Sequence, residues 1–495
     1  MKKSIMRTLS VLLCLVLISS TAALSSFASN PGLIPKRITV SINGDTSASR
    51  GFCWYTDDET ASEVKVFDDG DDVSNTLTFS DVTCSEWSGS YMHKVTVSGL
   101  TPGKTYTYKV GGEVWSDIGS FTTDDGGDKV KFINIADVQA SSYENFLRGA
   151  ETLAAAFETM PDADFYSNCG DFTNDSTNEE WDFFHEAFQQ LNMSSTMAPV
   201  SGNHDGFGVW HWFNNMFNLD TTESVQTLNG VNYSFDYGNA HFAVLNTNDL
   251  VSMSLAQLKW LENDMNGTSK DWKIVLMHKS PYTLGKDGKW PDALYLQKSA
   301  ASIFDKCGVD VVLSGHDHQY LRTKSLYNNK VSDDGTIYVL SGTAGTKRYE
   351  IRSFCEGTYI KTDQIAALVV QKKGYGNYWN GTDWNSTKET NVGGAFSCIS
   401  IDGGSLTLDS YILADQKDES GGDVITKIDS FTLTKETGKN TATFQGDNTT
   451  SPIKYYLGVV PSVICLAGYA LGSWLPRFIA MLPKLISTYI KDGIF

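Results

Sequence analysis

The sequence predicts a layered α/β domain, its sheets flanked by helices, behind a smaller all-β sandwich. Three observations lead there. Between residues 129 and 320, short apolar runs of strand length each lead into Asp, Asn or His. Apolar stripes at helical spacing lie between those runs. Ahead of them, period-two runs separated by Gly- and Asp-rich turns fill residues 35–124, the pattern of a sandwich of short strands.

Taken in order, Lys2, Lys3 and Arg7 precede the apolar run Leu9 to Ile18, and Ser26-Phe27-Ala28 offers small residues for cleavage. Residues 1–28 therefore read as a secretory signal. Sandwich strands are expected at 38–42, 51–55, 63–67, 93–97 and 105–110, with Trp54 in the core between the sheets. Asp124 to Asp128 reads as a polar joint between domains.

The second domain spans residues 129–435. Its runs deliver Asp137, then Gly170-Asp171, then Gly202-Asn203-His204-Asp205, then His278, then Gly315-His316-Asp317-His318. Ligands gathered at the C-terminal ends of neighbouring strands build a site in an α/β fold. The mixture of Asp, Asn and His suits divalent Mn, Fe or Zn. Helices are expected over 144–160, with Phe146, Ala150, Leu153 and Phe157 on one stripe, and over 254–265, with Leu255, Leu258, Leu261 and Met265. His185, beside Trp181, Phe184 and Phe188, reads as core, and His93 and His241 as structural. A meander at 398–401, 405–408 and 428–433 closes the domain. Residues 352–396 carry no readable pattern.

Residues 436–454 form a polar linker. Residues 455–476 hold no charge, about the ~20 residues that span a bilayer. The tail 477–495 carries Arg477, Lys484 and Lys491, which favours the cytoplasmic side. The chain therefore reads as exported, extracellular or at the cell surface, and anchored at its C-terminal end. Pro461, Pro476 and Pro483 allow an interfacial hairpin instead. A net charge of −19 argues against a nucleic-acid polymer as partner. Eight cysteines in an exported chain permit disulfides. Cys53 with Cys84, and Cys355 with Cys398, are the candidate pairs. Cys169 reads as a small buried hydrophobe.

The ordered ligand series resembles the calcineurin-like metallophosphoesterases, and within them most resembles the purple acid phosphatases. Residues 278–282, 316–322 and 341–345 are similar too. Residues 100–106 and 120–123 resemble the fibronectin type III-like domain that precedes the catalytic domain in the plant-type enzymes. The resemblance implies an acid phosphatase-like phosphomonoesterase, acting on small phosphate esters with two divalent metal ions. It makes Asp171 the shared ligand, with Asp137 and His318 at the first metal and Asn203, His278 and His316 at the second. A metal-bridging hydroxide would be the nucleophile, His204 would protonate the leaving group, and Asp205 would orient His204.

Two positions depart from the family. Asn174 stands where the purple enzymes carry a tyrosine, so no purple colour is expected. Gln139 stands where other members carry a histidine. Both are further ligand candidates, and a weaker, divalent first site follows. His211, Tyr320 and Arg322 are candidate substrate contacts, with Lys347 a weaker one. The alternatives are a phosphodiesterase on nucleotides, glycerophosphodiesters or wall polymers, and a surface binding protein with a degenerate site.

Overall fold

The structure, a computed structural model, describes residues 30–68, 76–206, 212–225, 230–248, 255–285, 287–288, 291–351, 358–378 and 386–437. The expected signal, the linker from 438 onward, the apolar run 455–476 and the basic tail lie outside these residues. Among the described residues no helix is long and apolar enough to cross a membrane.

Two large sheets build the molecule. One has ten strands, in the order 425–434, 405–414, 393–402, 129–135, 165–168, 196–199, 36–41, 50–56, 90–97 and 83–87. The other has nine, in the order 233–237, 240–245, 272–277, 311–314, 337–341, 320–323, 365–370, 375–378 and 386–389. Strands 129–135, 165–168 and 196–199 are parallel, as are 240–245, 272–277, 311–314 and 337–341. Aromatic rings join the sheets. Phe132 stacks on Phe165 at 5.1 Å and meets Phe242 edge-on at 5.3 Å. Burying each ring contributes about 2–3 kcal/mol.

Helices cover the sheets. Tyr143–Thr159 buries Phe146, Ala150 and Leu153 as the stripe requires. Asn178–Ser194 is capped by Thr177, whose hydroxyl accepts from the Glu180 amide, and the Glu180 carboxylate in turn accepts from the Asp175 amide. It buries His185 among Trp181, Phe184 and Phe188. Burial lowers the His185 pKa well below the usual value, so the ring packs neutral. Leu258, Leu261 and Met265 of Leu255–Gly267 pack on the second sheet with Ile303 and Phe304.

The sandwich is present, with Trp54, Phe52 and Tyr108 in its core, but the expected joint is more than a linker. Strand Lys36–Ser41 runs parallel beside Thr196–Pro199, and the Ile42 amide donates to the Met197 carbonyl at 2.9 Å. The front sheet of the sandwich thus continues the sheet of the second domain. Asp124 is buried and pins both sides, accepting from Thr46 Oγ1 and from the Gly238 amide.

The disulfide expectations need correction. Cys53 and Cys84 are free thiols. They sit on strands separated by strand Ser90–Val97, where they pair with Lys94 and His93. Two strand spacings put them roughly 9–10 Å apart, beyond the ~4.4–6.8 Å that a disulfide spans between Cα atoms. Cys398 is also a free thiol, and Cys355 lies outside the described residues. The unreadable stretch supplies strands Ile365–Val370, Tyr375–Tyr378 and Ser386–Glu389 at the edge of the second sheet. The meander forms as expected, its strands longer, beside Lys129–Ile135.

Candidate metal centre

Each expected ligand follows a parallel strand, and the loops that carry them are tightly turned. Asp137, Asp171, His316 and His318 all have positive φ, at 54°, 56°, 81° and 45°. Left-handed backbone costs a non-glycine residue about 1–3 kcal/mol, so the surroundings must fix it. They do so by backbone bonds between loops. The Asp137 amide donates to Gly170 at 2.9 Å and the Gln139 amide to Asp171 at 2.8 Å. The His316 amide donates to the Asp137 carboxylate at 2.8 Å. The motif glycines make room. A Cβ on Gly202 would lie 2.2 Å from Asp171 Oδ1, and one on Gly170, with φ at 92°, 2.7 Å from His278 Nδ1.

The loops bring the acidic and imidazole residues into two groups, Asp171 with His278 and His316, and Asp137 with Asp171 and His318. Within each group the donor atoms lie within 4.8 Å of one another, and Asp171 belongs to both. His278 Nδ1 faces the Cys169 carbonyl at 2.8 Å. That bond leaves Nε2 for the site, 3.1 Å from Asn203 Oδ1, 3.2 Å from His316 Nδ1 and 3.3 Å from Asp171 Oδ1. His318 Nδ1 is held by the Lys347 carbonyl, which turns Nε2 inward to 3.7 Å from Asp137 Oδ1. A carbonyl on one ring nitrogen fixes which nitrogen ligates.

The electrostatics suit bound cations. Asp137 is fully buried, and burial holds its pKa well above the carboxylate range despite His278. Two carboxylates buried together need compensating positive charge. Burial lowers His318 to about 3 and His316 well below the usual value, which keeps both in the neutral form that metals require. Gln139, 3% exposed and also at positive φ, has neither side-chain polar atom bonded. A buried amide left without a partner beside Asp171 suits a ligand role. The residues present therefore fit two divalent ions.

His204 stands half-buried beside the cluster, its amide on Asp171 Oδ1 at 2.9 Å and its Nδ1 on the Asn174 carbonyl. Asp205 does not take the expected place behind His204. It accepts the amides of Asp171, Phe172, Thr173 and Gly202, and so staples the Asp171 loop to the Asn203 loop. Burial and the Asp171 charge push its carboxyl up to about 7, against those four donors. Asn174 is also diverted from a ligand role, because its Oδ1 accepts Lys347 Nζ at 3.1 Å. Tyr320 and Arg322 are corrected as substrate contacts. The Tyr320 hydroxyl and the Arg322 guanidinium both bond Asp429, at 2.8 Å and 2.6 Å, tying the second sheet to the closing meander. His211 lies outside the described residues. Sequence reasoning missed how Lys347 works, through its backbone carbonyl. The only trace was the similarity of residues 341–345, just before it.

Residues 130–320 match the calcineurin-like phosphoesterase family, and residues 35–123 match the purple acid phosphatase N-terminal domain. Purple acid phosphatase 22 of Arabidopsis thaliana is 26% identical over 274 residues, 53% of this chain and 61% of that protein. Probable inactive purple acid phosphatase 1 of the same plant is 25% identical over 304 residues, 52% of this chain and 49% of that one. The chain thus matches about three fifths of the first relative's length and half of the second's. In fold, a purple acid phosphatase from yellow lupin (Lupinus luteus) seeds superimposes with a TM-score of 0.61 at 17% identity, covering 81% of this chain and 75% of that one. The ordered ligand loops lie within or at the edge of the matched region 130–320, so the chain carries a calcineurin-like phosphoesterase domain there, behind a domain over 35–123 that matches the N-terminal domain of the purple acid phosphatases.

Proposed function

We propose that the protein is an exported phosphomonoesterase that depends on two divalent metal ions. The observation that carries this reading is the pair of ligand groups sharing Asp171, with half-buried His204 beside them. Asp137, His318 and Gln139 would hold one ion, and Asn203, His278 and His316 the other, with Asp171 common to both. Mn, Fe(II) or Zn bound there supplies Lewis-acid polarisation of the phosphoryl oxygens and a lowered pKa for water.

The chain's own residues do the rest. The Asn174 carbonyl holds His204 by Nδ1, which leaves Nε2 to protonate the leaving-group oxygen. Asp205 keeps the Asp171 and Asn203 loops in register through four amides. Lys347, whose Nζ lies 3.1 Å from Asn174 Oδ1, adds positive charge beside the site, which suits a dianionic monoester over a monoanionic diester.

The test uses the full chain, stripped of metal and titrated with Mn, Fe(II) and Zn. Hydrolysis of nitrophenyl phosphate is compared with that of bis-nitrophenyl phosphate, beside Asp171→Asn. Metal-dependent monoester turnover that the variant loses supports the proposal. A strong diester preference transfers it to a phosphodiesterase. Metal binding without turnover of either substrate would leave a binding protein with a degenerate site.

A further inference from the structure

Five consecutive backbone carbonyls, of residues 214 to 218, accept hydrogen bonds from side chains of the N-terminal sandwich. Lys94 Nζ donates to Asn214 at 2.6 Å and to Phe217 at 2.7 Å. The Tyr55 hydroxyl donates to Asn215 at 3.0 Å, and Cys53 Sγ to the same oxygen at 3.3 Å. Thr39 Oγ1 donates to Met216 at 3.1 Å, and Asn43 Nδ2 to Asn218 at 3.0 Å. A helix leaves its last four carbonyls unpaired. Here the short helix Trp212–Met216 ends on another domain, which pairs every one of them and sets a cation at its negative end.

The other side of this segment faces the ligand cluster. Phe213 and Phe217 pack against Phe172, with ring centroids 6.2 Å and 5.3 Å apart. Phe172 directly follows Asp171, and its amide is one of the donors to Asp205. A continuous line of contacts therefore runs from Lys94 through Phe217 and Phe172 to the shared carboxylate.

We propose that the sandwich is a working part of the site, and that Lys94, helped by Tyr55 and Cys53, is a positioning group that keeps Asp171 in register with the other ligands. A tethered binding module would touch its neighbour through a few exposed side chains. This domain instead supplies hydrogen bonds that the backbone of residues 214–218 lacks. The proposal rests on the reading of Asp171 as a shared ligand, and its test separates the two.

The experiment follows amide hydrogen exchange at residues 171–173 in the metal-free full chain. It is made on the wild type, Lys94→Met, Lys94→Arg, Tyr55→Phe and a control, Lys109→Met, on the far sheet of the sandwich. Lys94→Met is expected to raise exchange there about tenfold and to weaken Mn(II) binding by about the same factor, the scale of lost support behind a ligand. Lys94→Arg, which still offers two donors, restores most of both, and Lys109→Met changes neither. If Lys94→Met fails to fold, Tyr55→Phe is read on the same amides, with a two- to threefold rise expected, about the effect of one lost hydrogen bond. Unchanged exchange at 171–173 in a folded Lys94→Met or in Tyr55→Phe, or an equal rise in Lys109→Met, overturns the proposal. A wild type that binds no metal would sink the proposed function, while the exchange result would still decide the coupling.

Discussion

On the His278 side of Asp171, three ligand atoms converge around one ring nitrogen. Asn203 Oδ1, His316 Nδ1 and Asp171 Oδ1 all lie within 3.3 Å of His278 Nε2. On the Asp137 side the set is thinner: two carboxylates and His318, with the orphaned Gln139 amide nearby and the Asn174 side chain committed to Lys347. One half gathers two imidazoles and an amide oxygen around the shared carboxylate, and the other has one imidazole, a second carboxylate and an unbonded amide, a weak ligand. The difference predicts that the halves fill unequally, the His278 half first. It also predicts divalent over trivalent ions, because no phenolate stands at position 174.

The variant with the largest expected effect removes what the halves share. Asp171→Asn loses the bridging charge and should abolish turnover and binding at both halves, measured by calorimetric Mn(II) titration. Retention of two tight ions would end the idea of a shared ligand. The next expected effect leaves the metals in place. His204→Ala should lower turnover of an alkyl phosphate by about 10²–10⁴-fold, the usual contribution of a general acid, while nitrophenyl phosphate, with its good leaving group, is far less affected. Equal losses on both substrates would show that His204 acts on something other than the leaving group.

The third acts on the comparison itself. Gln139→His replaces a neutral amide by imidazole and should tighten the weaker ion by about 10–100-fold, the range over which ligand-shell changes act. Two-step metal titration reads this directly: the steps should merge. If the steps stay apart, Gln139 is not aimed at the ion, and its orphaned atoms have another cause.

Much of this site was legible because its grammar is local. A buried strand followed by glycine and a ligand is written within six or seven residues. Parts of the fold built by distant pairing were not legible. Strand Lys36–Ser41 finds Thr196–Pro199 across more than 150 residues of chain, and no pattern in either announces the other. The same holds for Lys347 on Asn174, 173 positions apart, and Arg322 on Asp429, 107 apart. Cys53 and Cys84 misled because strand order, which separates them, is not a property of either strand. Asp205 misled for the opposite reason. It is adjacent in sequence to His204, yet its carboxylate turns to four amides of the loops instead.

The smallest expected effect distinguishes a side chain from the backbone that carries it. Lys347 touches the thinner half of the site twice, through its carbonyl on His318 Nδ1 and through its Nζ on Asn174 Oδ1. Lys347→Met keeps the first contact and loses the second. Because the carbonyl is what orients the ligand, metal affinity should stay within about threefold of the wild type. The lost ammonium should show in substrate binding instead, as a KM for nitrophenyl phosphate raised by about three- to tenfold with little change in kcat, the signature of binding lost equally from ground and transition states. A large fall in metal affinity would mean that the Lys347–Asn174 tie fixes the first half-site through Asn174, and the two halves would then differ in how they are supported as well as in their ligands.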